Sequence, residues 1–158
     1  MVGDRAADDL VLGRLPGQLE ELLGETPDDL RDRYLLALCY RLKADLNAAL
    51  IQVDSSKLTE AIDGYSKAQF AMLDLSGRSP AVHRYRVELG QLLMNISQLE
   101  AQQRRYTEAR VALEKAEEVF AKLATEDPDS GEFKNLLTQT RAVLEQLTAI
   151  EAASPQQK

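Results

Sequence analysis

The stretch LMNISQLEAQQRRYTEARVALEKAEEV, residues 93–119, has the pattern of two amphipathic helices joined by a short polar turn. Its first half continues a series of apolar residues at steps of three and four, the spacing of one helix face. Its second half begins a new series after Gln103, Arg104 and Arg105. Connections this short are usual between antiparallel neighbouring helices. The stretch therefore predicts a helical hairpin, with helices over 80–102 and 106–125.

The same helical spacing extends along the chain on both sides of this hairpin. We predict five long helices, over residues 28–53, 57–76, 80–102, 106–125 and 129–151. Three of them follow an acceptor side chain and a proline, at Thr26-Pro27, Ser79-Pro80 and Asp127-Pro128. The acceptor can cap free backbone N–H groups, and a proline at the first helical position loses no hydrogen bond. In the helix over 28–53, leucines and alanines form two stripes, which predicts burial on two sides.

The two ends of the chain lack such long periodic segments. In residues 1–26, Pro16-Gly17 divides two short apolar series, so we expect one or two short helices that form an N-terminal capping segment. Residues 153–158 show no apolar periodicity, and we expect them to be a disordered tail. Residues 27–152 then form one helical domain, which is large enough to need no disulfide for stability.

The sequence repeats itself at a spacing of 48 residues. Thr59-Glu60-Ala61 recurs as Thr107-Glu108-Ala109, and Lys67-Ala68 recurs as Lys115-Ala116. A period of about 20 to 50 residues with two helices per period is typical of stacked helical hairpins. The paired alanines lie two turns apart on one helix face, where small side chains let two helices approach closely.

These residues resemble the tetratricopeptide repeat family. The helix-turn-helix pattern of the family is matched by Asn95-Ile96-Ser97, Tyr106-Thr107-Glu108-Ala109, Leu113 and Lys115-Ala116. The chain departs from the family at Arg104, which replaces the turn glycine, and at Asp45, where a large apolar residue is usual. The second helix is also longer than in the family. This elongated form is similar to the long-period repeats that follow kinase domains in some bacterial signalling proteins.

The resemblance implies a fold, a binding surface and a function. The fold is all-α, a right-handed stack of antiparallel helical hairpins with five long helices and a short N-terminal helical cap. The first helix of each hairpin would line a concave face that binds a protein or peptide segment without catalysis and without a cofactor. The family register places on this face Lys43, Leu46, Leu50, Gln91, Met94, Gln98 and Gln102. With so few repeats, the alternative is a compact bundle in which these residues touch neighbouring helices.

Charge and composition restrict the partner and the location. The chain has 19 Lys and Arg against 26 Asp and Glu, a net charge of −7. Nucleic acids and anionic membranes bind basic surfaces, so we expect neither as a partner. Neither a signal peptide nor a segment of about 20 apolar residues is evident. We therefore expect a cytoplasmic protein, and the resemblance implies that it is part of a larger signalling protein.

Side chains suited to catalysis or metal binding are scarce. His83 is the only histidine and Cys39 the only cysteine, and the eight glycines form no phosphate-binding loop. We therefore expect no enzymatic activity, no metal and no cofactor, and we assign Cys39 to the helical core. His83, Arg84 and Arg86 form a local basic patch that could receive a phosphate or a carboxylate. The alternative is a solvated helix face.

The last predicted helix, over 129–151, has no hairpin partner in the chain. Its apolar stripe consists of Phe133, Leu136, Leu137, Val143, Leu144 and Leu147. If it is uncovered, such a stripe favours association with a second copy. A helical self-association domain that forms a homodimer is thus the alternative to a protein-interaction module.

Overall fold

The computed structural model describes residues 3–25 and 28–153, with side chains for 14–25 and 28–153. All regular secondary structure in these residues is α-helical, which confirms the predicted all-α class. The helices are α1 (Gly3–Glu25), α2 (Leu30–Leu50), α3 (Lys57–Arg78), α4 (His83–Gln102), α5 (Tyr106–Glu126) and α6 (Gly131–Ala153). The predicted cap at Thr26-Pro27 and residues 154–158 of the predicted tail lie outside the described residues, whereas Ala153, the first residue of that tail, ends α6.

The contacts between helices divide the chain into two compact units, Met1–Pro80 and Ala81–Lys158. In the first unit, α2 packs against both α1 and α3. In the second unit, α5 packs against both α4 and α6. Each unit thus pairs helices that follow one another in the sequence, as hairpins require. The right-handed stack and the single domain over 27–152 remain predictions.

The N-terminal segment differs from the prediction. It is one helix of 23 residues, α1, which continues through Pro16. The expectations of one or two short capping helices and of only five long helices are therefore wrong. A proline inside a helix removes one backbone hydrogen bond and crowds the preceding turn. Here Pro16 is buried and α1 packs against α2, so tertiary packing outweighs the local preference for a break.

Pro80 and Pro128 lie in turns ahead of α4 and α6, and not at the first helical position as predicted. Before α6, the Ser130 N–H donates to the carbonyl of Asp127 at 3.2 Å, which closes a turn with Pro128 in its second position. The fixed φ of proline favours that position. The Ser130 hydroxyl oxygen then accepts the Phe133 N–H at 3.3 Å and caps the helix. The proline therefore marks the turn that leads into the helix.

The turn between α4 and α5 places Arg104 in the left-handed backbone region, at a φ of 60°. The Arg104 N–H donates to the carbonyl of Ala101, and the Arg105 N–H donates to the carbonyl of Glu100, both at 2.9 Å. These two bonds form the Schellman arrangement at the end of a helix, which usually has a glycine at this residue. Arg104, where the resemblance predicts a glycine, thus adopts the conformation that glycine favours.

Small residues bring the paired helices close together. Ala61 and Ala68 of α3, and Ala109 and Ala116 of α5, are all fully buried, as the repeat predicts. Full burial of an alanine leaves no space for a longer side chain without displacement of the facing helix.

Two glycines extend this close packing. At Gly64 of α3, an added Cβ would lie 2.9 Å from the Cβ of Ala44 in α2. At Gly90 of α4, an added Cβ would lie within 3.0 Å of three ring carbons of Phe120. Because Phe120 is fully buried in α5, its ring has no free space to move into.

The alanine stripe of α2 is buried and its leucine stripe is not. Ala37 and Ala44 are fully buried, whereas Leu35 is 39% exposed and Leu42 is 47% exposed. The leucine stripe is therefore less covered than predicted, although α2 packs against both α1 and α3. The close approach of Gly64 to Ala44 explains why the alanine stripe of α2 lies against α3, because only small side chains fit there.

Asp45, where the resemblance predicts a large apolar residue, makes a hydrogen bond between two helices. Its carboxylate accepts a hydrogen bond of 2.7 Å from the hydroxyl of Tyr65, a buried residue of α3. Burial raises the pKa of Tyr65, and the hydrogen bond to Asp45 raises it further. The pair thus links α2 to α3 by a partly buried hydrogen bond.

Candidate binding groove

A groove with a volume of about 390 Å³ lies between α4 and α6 in the second unit, with α5 at its base. Its described lining residues are Met94, Asn95, Ser97, Gln98, Ala101, Leu113, Val143, Gln146, Leu147 and Ile150. All of them are uncharged. The groove therefore presents amide and hydroxyl groups beside aliphatic surface.

The packing of α6 on α5 shapes the floor of the groove. Leu113 and Leu147 are buried in one cluster with Ala109, and Met94 of α4 packs against that cluster. Thr140 of α6 is fully buried, with its hydroxyl hydrogen-bonded to its own helix and 3.5 Å from the Met94 sulfur. Met94 is thereby placed between the core and the groove, where its flexible thioether side chain can adapt to an apolar ligand.

The walls of the groove are accessible to solvent. Gln98 on α4 and Gln146 on α6 are exposed, so each wall carries an amide that can both donate and accept hydrogen bonds. Val143 is 40% exposed and Ile150 is 49% exposed, both on the α6 wall. Such a combination can pair with the backbone of a bound segment and cover its apolar side chains.

Two of the seven predicted contact residues, Met94 and Gln98, line this groove. Gln91 and Gln102 belong to the same helix but lie outside the groove lining. The other three, on α2 of the first unit, are the partly exposed residues Lys43, Leu46 and Leu50. For all seven residues, contact with a partner remains a prediction.

The sequence prediction missed the α6 wall, although the repeat contains a signal for it. The residue pairs related by the 48-residue spacing are Asn95 and Val143, Gln98 and Gln146, and Gln102 and Ile150. The predicted contacts Gln98 and Gln102 thus correspond to the groove residues Gln146 and Ile150, whereas Val143 corresponds to Asn95, which was not a predicted contact.

Most of the apolar stripe predicted on the last helix is covered within the second unit, where α6 packs against α5 and Phe133 contacts His83 of α4. Phe133 and Leu147 are buried, and Leu136, Leu137 and Leu144 are partly buried. Val143 is the more exposed member of the stripe, and together with Ile150 it lines the groove.

In the predicted basic patch, a carboxylate of the chain already lies against two of the three residues. The Arg86 guanidinium donates two hydrogen bonds to Glu126, of 2.6 and 2.5 Å, and His83 Nε2 lies 3.6 Å from the same carboxylate. The His83 ring also packs edge-on against Phe133, at 5.6 Å between centroids. The hydrogen bond from Arg86 lowers the pKa of Glu126. Arg84, the third residue of the patch, is exposed; binding of an external anion here remains a prediction.

The remaining chemical groups form no second candidate site in the described part of the chain. Cys39 is buried, as predicted, and desolvation raises the pKa of its thiol. No three His, Cys, Asp or Glu side chains among the described residues lie close enough to hold a metal ion. Likewise, no described helix has the length and apolar character needed to cross a membrane.

The chain was also compared with known proteins, and no family model, curated protein or solved structure matches it.

Proposed function

We propose that this chain is a non-catalytic protein–protein interaction module that binds a peptide segment of a partner protein in the α4–α6 groove. The lining of the groove carries the proposal, because it combines exposed amides on both walls with an apolar floor. A bound segment needs partners for its backbone N–H and C=O groups, and the amides of Gln98 and Gln146 supply them. Met94, Val143 and Ile150 offer apolar surface to its side chains.

A tetratricopeptide-like architecture belongs to this proposal. It is supported by the 48-residue repeat, by the buried alanines of α3 and α5, and by the left-handed turn at Arg104. In that architecture, α4 and α6 are the first helices of successive repeats and share the concave face. A scaffold role within a larger bacterial signalling protein, in the cytoplasm, follows from the same resemblance.

Selection from a displayed library of random peptides tests the proposal. The affinity of the selected uncharged peptides is measured for the natural chain and for the double variant Gln98→Glu, Gln146→Glu, which places one carboxylate on each wall. Both positions are exposed, so helical content should not change. We expect at least tenfold weaker binding, about 1.4 kcal/mol, because the bound peptide must desolvate two new charges.

The matched control is the double variant Thr138→Glu, Thr148→Glu. It adds the same charge to α6 at exposed residues outside the groove lining, whose hydroxyls bond only to their own helix. Binding should be unaffected by the control. Equal affinity of the selected peptides for all three proteins would show that the groove is not the binding site.

The alternative function is self-association through the last helix. The exposure of Val143 and Ile150 on α6 is the observation that favours it. Sedimentation equilibrium of the natural chain and of Val143→Glu decides between the two functions. If the natural chain is a dimer and Val143→Glu dissociates it, self-association is supported. If the two proteins have the same mass but Val143→Glu no longer binds the peptide, the interaction module is supported.

A further inference from the structure

A buried hydroxyl group lies in the α4 wall of the groove. Ser97 is 3% exposed, and it lines the groove between Met94 and Ala101, which lie about one turn before and after it on the same face of α4. Its hydroxyl forms no hydrogen bond with any residue that the structure describes. The Oγ atom is not fully enclosed, so the small surface that it keeps opens into the groove.

The lack of a partner distinguishes Ser97 from the buried hydroxyl of Thr140. Thr140 of α6 is fully buried, and its hydroxyl donates to the carbonyl of Leu136 at 2.8 Å. Buried polar groups in folded proteins are nearly always hydrogen-bonded, and a hydroxyl that loses water without gaining a partner is unfavourable. The partner of Ser97 must therefore come from the groove, as water in the free chain and as a ligand in a complex.

The internal repeat indicates that helix packing does not require a hydroxyl at this position. Under the 48-residue spacing, Ser97 corresponds to Ala49 of α2 and to Glu145 of α6. Both of these residues are exposed, so the hydroxyl and its burial are specific to α4. A hydroxyl that the fold does not need and that faces the groove suits a role in binding.

The length of the groove suits a short extended segment. Its lining runs from Met94 to Ala101 on α4 and from Val143 to Ile150 on α6, about 10 Å at the helical rise per residue. About three residues of an extended chain span the same distance. Because side chains alternate along an extended segment, one or two of the three face into the groove.

The chemistry around Ser97 restricts the side chain that can face it. A charged side chain would lose its hydration, and the described lining offers no opposite charge in return. An apolar side chain would remove water from the Ser97 hydroxyl and leave it unpaired. A serine, threonine, asparagine or glutamine side chain avoids both effects, because it is uncharged and can hydrogen-bond to the hydroxyl.

We propose that Ser97 determines which peptides the groove binds. Its hydroxyl bonds to an uncharged polar side chain of an extended partner segment, whose neighbouring residues are apolar and contact Met94, Val143 and Ile150. The inference rests on the proposed function, the binding of a peptide in this groove. Because the hydroxyl exchanges water for this side chain on binding, it contributes to affinity and not to the stability of the free chain.

Selection from a displayed peptide library tests the inference when it is run on the natural chain and on Ser97→Ala. Peptides selected by the natural chain should share a serine, threonine, asparagine or glutamine next to apolar residues. Peptides selected by Ser97→Ala should carry an apolar residue there instead. The first set should bind Ser97→Ala roughly tenfold more weakly, about 1.4 kcal/mol, because the inserted polar side chain loses its partner.

A double-mutant cycle isolates the contact. In a selected peptide, the shared polar residue is replaced by an apolar residue of similar size, and both peptides are measured on both proteins. The replacement should weaken binding to the natural chain about tenfold and should leave binding to Ser97→Ala nearly unchanged. The matched control is Thr138→Ala, which removes an exposed hydroxyl of α6 outside the groove lining and should bind both peptides as the natural chain does.

Thermal unfolding separates a role in binding from a structural role. Ser97→Ala should keep or raise the Tm of the free chain, because it removes a hydroxyl without a partner and alanine favours a helix. A lower Tm, or a variant that does not fold, would show that the hydroxyl stabilises the free chain and would overturn the inference.

The outcomes also distinguish this inference from the proposed function. If no peptide binds, or if Gln98→Glu, Gln146→Glu leaves binding unchanged, the groove is not a peptide site and both proposals fail. If that double variant weakens binding but the selected peptides share no uncharged polar residue, the inference about Ser97 alone fails. A cycle without coupling between Ser97 and the peptide residue has the same meaning.

Discussion

Replacement of Arg104 by glycine should stabilise the chain. A left-handed φ costs a residue with a Cβ about 1–2 kcal/mol, and glycine avoids this cost. Glycine also adds about 0.5–1 kcal/mol of conformational entropy to the unfolded state, so the net gain is about 0.5–1 kcal/mol. The exposed Arg104 side chain has no hydrogen bond or ion pair with the described part of the chain, so its removal takes away no polar contact.

Thermal and urea unfolding measure this gain. For a chain of this length, it corresponds to an increase in Tm of about 1–4 °C. Gln103→Gly, at a φ of −84°, is the matched control and should lower the stability, because only the entropy cost applies there. Arg104→Ala retains the Cβ and should show no gain. A lower Tm for Arg104→Gly, or an equal gain for Arg104→Ala, would show that the Cβ does not strain this turn.

Two further predictions concern a close contact and a charge. Gly90→Ala should destabilise the chain by about 1–3 kcal/mol, because the added methyl group meets the buried Phe120 ring. Gly17→Ala should stabilise it by about 0.4–1 kcal/mol, because an added Cβ there lies in open space. Urea unfolding of the two variants checks these opposite signs. Glu126→Gln should reduce the stability at neutral pH, where the carboxylate is paired with Arg86. Since the pKa of Glu126 is lowered in the fold, this contribution is complete above the ordinary carboxyl pKa and disappears as the pH falls through the lowered one. If the difference in unfolding free energy between the natural chain and Glu126→Gln stayed constant from about pH 7 to pH 2, this account would be contradicted.

The helices could be predicted wherever packing and sequence periodicity agree. The second helix of the hairpin was expected over 106–125, and α5 spans Tyr106–Glu126. The prediction failed at Pro16, because a local rule for breaking helices cannot account for the burial of that proline against the rest of the fold. It also overestimated the burial of the leucine stripe of α2. Leucines suggest burial by their hydrophobicity, but the alanines occupy the close contact at Gly64, and Leu35 and Leu42 are left exposed.

Two of the ten described lining residues of the candidate groove, Met94 and Gln98, were among the predicted contacts, because the pattern of the resemblance covers their helix. The α6 wall required the same register to be carried 48 residues further, onto a helix that the sequence shows without a hairpin partner. The depth of the groove depends on how α6 packs against α5. The spacing of apolar residues within one helix does not specify that packing.

The single thiol of the chain gives a chemical measure of how often one of its two units opens. Cys39 is the only cysteine and is buried in α2, where desolvation raises its pKa and disfavours the reactive thiolate. An alkylating reagent should therefore modify it mainly during transient exposure of that helix. The alkylation rate, divided by the rate in denaturant, then gives the opening equilibrium. An opening free energy of about 4 kcal/mol would slow alkylation about a thousandfold. Because the sequence after residue 80 contains no cysteine, the measurement follows the first unit alone, in the unmodified chain and without an attached probe.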